Sequence, residues 1–108
     1  MTVDIDEILA DMLNAMKTTI NEDWAVVKKS ANNFIQSKKY RLELLATMRL
    51  NGEISEDFFK KRMIDEKEIL TSELHSIAIV NKVLAQNAAN AAIKVLEDVI
   101  STTLNVVL

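Results

Sequence analysis

Apolar residues in the first half of the chain step by three and four, through Ile5, Leu9, Met12, Met16, Ile20, Val27, Ala31, Phe34, Leu42, Leu45 and Met48. That spacing predicts amphipathic helix. A recurrence of eleven residues describes the pattern better than a heptad. Leu9, Ile20, Ala31 and Leu42 form one row, and Leu13, Trp24, Ile35 and Ala46 a second. In the second half Met63, Leu74, Ala85, Leu96 and Val107 form a row, as do Ile77, Ala88 and Val99. This period implies straight or slightly right-handed packing rather than a left-handed coiled coil.

The one clear interruption lies near mid-chain, at Leu50-Asn51-Gly52-Glu53-Ile54-Ser55. Gly52 can take the left-handed conformation that ends a helix. Ser55 can cap the next one, with Glu56 and Asp57 in its first turn, where the helix dipole favours acids. Ile54 is placed to pack back towards Phe59. The turn resembles the short L-x-x-G-x-I-[S/T]-x-x-x-F connection of small bacterial helical hairpins, including short C-terminal oligomerisation modules. Here it reads Leu50, Gly52, Ile54, Ser55 and Phe58 or Phe59, with a shorter leucine-to-glycine spacing. Capping physics alone accounts for the likeness over about ten residues, and no function is carried across from it.

These signals predict an all-α, single-domain chain over 1–108. Arm one covers about 4–50, the turn 51–55 and arm two about 56–106, folded as a long antiparallel helical hairpin. The start of the first arm then pairs with the end of the second. Ile20-Asn21-Glu22-Asp23-Trp24 is the weak point, since Asn21 could cap a new helix and split the first arm near residue 21. Asn32-Asn33 is a milder one.

The second arm is unusually apolar beyond residue 75. From Ser76 to Leu108, 20 of 33 residues are apolar and four are charged. Polar residues fall on one line, Lys82, Gln86, Asn90, Lys94, Glu97, Ser101 and Asn105, which predicts the water-facing side. Two apolar seams remain: Ala85, Ala89, Ala92 and Leu96 on one, and Leu84, Ala88, Ala91, Val95 and Val99 on the other. A helix in a simple hairpin buries one stripe, so the second seam calls for a partner. The expectation is self-association, as a dimer or higher homo-oligomer in a four-helix bundle, with those nine residues as the interface. The alternative is a kinked three-helix monomer that lays its own N-terminal piece over the exposed seam.

Composition narrows the field further. The chain has no proline and one glycine, which argues against sandwiches, barrels and α/β folds. It has no cysteine, so disulfides, thiol catalysis and thiolate metal sites are excluded. The net charge of −3 is too small for strong steering to nucleic acid. Its distribution is uneven: residues 1–27 hold six acids and one base, 28–75 ten bases and eight acids, and 76–108 two of each. The acidic start lacks the basic region of a secretory signal, which leaves the cytoplasm as the default compartment. The longest charge-free apolar stretch, Val83 to Ile93, is well short of the roughly 20 residues a spanning helix needs.

Candidate chemistry is sparse. The single histidine, His75, lacks the Glu-x-x-His spacing of a di-iron bundle, because residue 72 is Ser; a partly exposed polar position near the charged half is expected for it. Asp4, Glu7 and Asp11 share a helix face, read as a solvated first turn suited to the dipole, with metal binding or acid–base work as the lesser reading. Lys28, Lys29, Lys38, Lys39, Arg41, Lys60, Lys61 and Arg62 interleave with Glu43, Glu56, Asp57, Asp65, Glu66 and Glu68. A solvated face laced by local ion pairs is expected there. Trp24, Phe34, Phe58 and Phe59 are expected in the core or at the turn, and Met12, Met16, Met48 and Met63 as core fillers. No metal or cofactor is implied. The functional expectation is a non-enzymatic, self-associating scaffold or interaction protein. A membrane-active protein using the 76–108 arm, and a small chaperone or secretion-type partner that binds a client helix, are the alternatives. No Trp-x-Gly turn marks the chain as one of the small secreted helical hairpins.

Overall fold

The computed structural model describes the backbone of residues 3–107 and side chains as far as residue 105. The row position at Val107 and the apolar terminus therefore lie outside the described side chains. Every regular element among the described residues is helical: α1 (Ile5–Ile20), α2 (Trp24–Ser37), α3 (Lys39–Leu50), α4 (Glu56–His75) and α5 (Lys82–Val107), with a single 3-10 turn at Asn21–Asp23. The all-helical expectation holds. The two long arms do not: the first is divided at Asn21 and bends at Lys38, and the second is divided at 76–81.

Each end has a local cause. Asp4 accepts a hydrogen bond from the Glu7 amide and caps α1. Asn21 ends α1 rather than capping α2: its amide bonds back to the Lys17 carbonyl and it takes φ 60° and ψ −107°, close to the first central position of a type II′ turn, where glycine and asparagine are favoured. No side chain caps α2. At mid-chain the amide of Glu53 bonds the Met48 carbonyl at 2.8 Å and that of Gly52 the Arg49 carbonyl at 3.2 Å. Gly52 lies at φ +75°, so this is a complete Schellman stop. The Ser55 hydroxyl oxygen then accepts from the Phe58 amide at 3.1 Å, Phe59 is buried, and Ile54 packs on the core. Asn51, Gly52 and Ser55 lie in this turn.

The break at 76–81 has no glycine or proline. The Ile77 amide bonds the Leu74 carbonyl, and the Val80 amide the Ile77 carbonyl. The Asn81 side chain caps α5 by accepting from the Leu84 amide at 2.8 Å. Val80, just before that cap, is buried beside the buried Ala85 one turn on, in the arrangement of a hydrophobic staple.

The line of α2 and α3 runs antiparallel to α1, α4 to α3, and α5 to α4. Lys39 of α3 meets Asp6 of α1 at 2.8 Å, Arg41 of α3 meets Glu66 of α4, and Lys67 of α4 meets Glu97 of α5. α2 and α3 act as one bent rod beside α1 and α4. α5 is the central element, packed against α1 and α4 and touching α3. Its 26 residues span about 39 Å at 1.5 Å per residue, which matches the 43 Å long axis of the molecule. The predicted pairing of the chain's start with its end is present: Val3, Ile8, Val99 and Thr103 border one surface depression.

Candidate functional site

The nine seam residues proposed as an oligomer interface lie inside or against the core of a single copy. Ala85, Ala88, Ala89, Ala92 and Leu96 are completely buried. Leu84, Ala91, Val95 and Val99 are half-buried, and Leu84, Val95 and Val99 pack on the core. Most of the apolar surface of α5 is covered within the chain, because division of both arms lets α1 fold over one side of α5 while α4 covers another; Ile79 and Val83 stay exposed. The polar line is where the sequence placed it: Lys82, Gln86, Asn90, Lys94, Ser101 and Asn105 are exposed, and Glu97 is half-buried in its pair with Lys67.

The charged half of the chain departs from the expectation of a wholly solvated face. Lys38, at the bend between α2 and α3, is 2% exposed and Glu66 is 0% exposed. Glu66 receives a two-pronged bond from Arg41, Nε to Oε1 at 2.6 Å and Nη2 to Oε2 at 2.8 Å. Lys38 pairs with Glu73 and also donates to the Phe34 carbonyl at 3.3 Å. The Glu66 hydrogen bond is the main cause that raises the Arg41 pKa above its usual value, against the opposing effect of burial. These pairs clamp α3 to α4 at two adjacent levels. Local pairs do exist, Lys60–Glu56 and Arg62–Asp65 on α4 and Lys94–Asp98 on α5. The buried pairs escaped the sequence reading because their partners lie 25 and 35 residues apart, outside any helix-spacing rule.

Lysine 39 belongs to the outer margin of this cluster. Its bond to Asp6 is the main cause that raises its pKa, with a smaller contribution from Glu43. His75 is exposed at the end of α4. Among the described residues no three of His, Asp and Glu are grouped so as to hold a metal ion. Met12, Met16 and Met63 are buried core fillers, and Met48 is half-buried.

Exposed apolar side chains are spread over several elements, Val26 on α2, Phe58, Ile64 and Ile69 on α4, Ile79 before α5 and Val83 on it, and the most exposed of all is on the outside of α3. Tyr40 is 81% exposed and Leu44, one turn on, is 59% exposed. Together with half-buried Val3, Glu43 and Thr47 they border a shallow depression where the start of the chain crosses α3. The sequence carried a signal for this: Tyr40 and Leu44 are apolar yet fall out of step with the core row of Leu42, Leu45 and Met48. A neighbouring depression, shared with α5, has Val3, Val99 and Thr103 along it, with exposed Asp4, Glu7 and Asp11 at its edge. No described helix is long and apolar enough to cross a membrane. The chain matches no protein-family model, no curated protein sequence and no solved structure.

Proposed function

We propose that this chain is a non-enzymatic helical interaction protein whose contact surface is the outer side of α3 at its junction with the start of α1. The carrying observation is the pair Tyr40 and Leu44, largely solvent-exposed, adjacent on one helix face and continuous with Val3. Scattered single apolar residues need no explanation, but a contiguous set on a helix face is the usual mark of a binding surface. Tyrosine adds a large rigid ring with a polar tip, a residue type favoured at interfaces. The buried Arg41–Glu66 and Lys38–Glu73 pairs support the reading by holding α3 firmly from behind. Assembly through the α5 seams is not part of the proposal, since five of those nine positions have no surface to offer.

The test is a photo-crosslinking side chain placed at position 40 in cells that produce the protein. Position 61, an exposed lysine on α4, serves as control. A discrete adduct heavier than the 12.2 kDa chain, formed from position 40 and not from 61, is expected. No adduct from 40, or the same smear from both positions, overturns the assignment.

A further inference from the structure

We infer that this surface takes a positively charged amphipathic helix of a partner protein. The inference rests on the interaction reading above and adds the chemistry of the occupant. Val3 joins the two depressions into one strip: Tyr40 and Leu44 supply apolar ground on one side of it and Val99 on the other, beside Thr103, whose hydroxyl donates to the Val99 carbonyl. The edges of the strip are acidic. Asp4, Glu7 and Asp11 are exposed along α1, and Glu43 is half-exposed on α3. Glu7, Asp11 and Glu43 form no ion pair among the described residues, whereas the nearby bases are engaged, Lys39 with Asp6 and Arg41 with Glu66. The carboxylates of Glu7, Asp11 and Glu43 along the strip favour a cationic occupant.

A helix fits better than an extended segment. The strip lies between helices, and the described residues offer no strand edge for a peptide to extend. Asp4, Glu7 and Asp11 step by three and four over about 10 Å. A helix laid alongside α1 that carries lysine or arginine at the same steps would face all three while its apolar side meets Val3, Tyr40 and Leu44.

The experiment is fluorescence anisotropy with the full chain and two labelled synthetic helices of about fifteen residues, one of leucine and lysine in amphipathic register, the other with glutamate in place of lysine. The lysine helix is expected to bind, more weakly as salt is added, and the glutamate helix is not. Leu44→Ser and Tyr40→Ser each weaken binding, and the pair Glu7→Lys with Asp11→Lys does so by about tenfold or more. All four positions are exposed, and an unchanged helix signal in circular dichroism verifies that each variant folds. Equal binding of both peptides, binding insensitive to the variants, or a doubling of molar mass abolished by Leu44→Ser without peptide binding overturns the inference. An adduct from position 40 combined with no lysine-helix binding leaves the contact surface standing and refutes only the basic partner.

Discussion

The Arg41–Glu66 pair makes a sharp test because its two ends sit in different surroundings. Glu66 is completely buried, while the Arg41 side chain is 42% exposed. Arg41→Ala strands a carboxylate in the core with both hydrogen bonds removed. Breaking a buried pair in that way costs about 3–5 kcal/mol. Glu66→Leu instead removes the buried charge and fills its space with carbon, leaving a guanidinium that can turn to water. That change should cost no more than about 1.5 kcal/mol. The double variant Arg41→Leu with Glu66→Leu should lie within about 1 kcal/mol of the parent, because neither charge is left unpaired. For a domain of this size 1 kcal/mol corresponds to roughly 4 °C in Tm, so Arg41→Ala should melt about 12–20 °C lower. Urea unfolding followed by the helix signal and by Trp24 fluorescence gives the three free energies. If Glu66→Leu is as damaging as Arg41→Ala, or if both cost under about 1 kcal/mol, the carboxylate is not held in the dry, paired setting described above.

Other positions allow simpler tests. Gly52→Ala meets no neighbouring atom, so its cost is conformational alone, about 1–2 kcal/mol for a non-glycine residue at φ +75°; a Tm unchanged from the parent would refute the Schellman stop. Ser55→Ala and Asn81→Ala each remove a helix cap and should cost about 1 kcal/mol, adding in the double variant as separate sites do. Ala89→Leu forces a large side chain into a filled interior and should cost about 1–3 kcal/mol. A neutral result in chemical denaturation would mean that this side of α5 is open in the free chain. The raised pKa of Lys39 means that its tie to Asp6 is complete below the usual lysine value of 10.5 and is lost only as pH climbs through the raised one. The difference in Tm between the parent and Lys39→Met should therefore be the same at pH 7 and pH 9, as read by thermal melts in matched buffers.

Burial was far more legible in the sequence than the path of the chain. Leu9, Ile20, Ala31 and Leu42 are buried as their row predicts, and so are Met63, Leu74, Ala85 and Leu96. Yet both rows run straight through a break. A repeating polarity pattern states which side of each residue faces inward, and reversing the chain between Leu74 and Ala85 leaves both facing the same core. Gly52 gave the mid-chain turn away because only a residue without Cβ takes its backbone angles cheaply. The 76–81 break had no such residue, and its sole local sign, Val80 before Asn81, is an ordinary dipeptide. Self-association was inferred from α5 treated as one arm of a plain hairpin. Once α1 became a separate helix, the second seam had a cover within the same molecule. Lys38 and Glu66 read as surface residues because lysine and glutamate almost always are, and what buries them is partners brought close only by the fold.

The central position of α5 has a consequence for how the protein is made. The helix that α1, α3 and α4 all lean on leaves the ribosome after all three of them, so their shared core cannot close before it emerges. Until residues 82–100 are free, Met12, Met16, Met63 and Leu74 face water or one another out of register. The nascent chain should therefore remain open to protease and to chaperones until synthesis has passed that segment, then collapse in one cooperative step. A stop anywhere before Lys82 would yield a sticky fragment, not a smaller working protein.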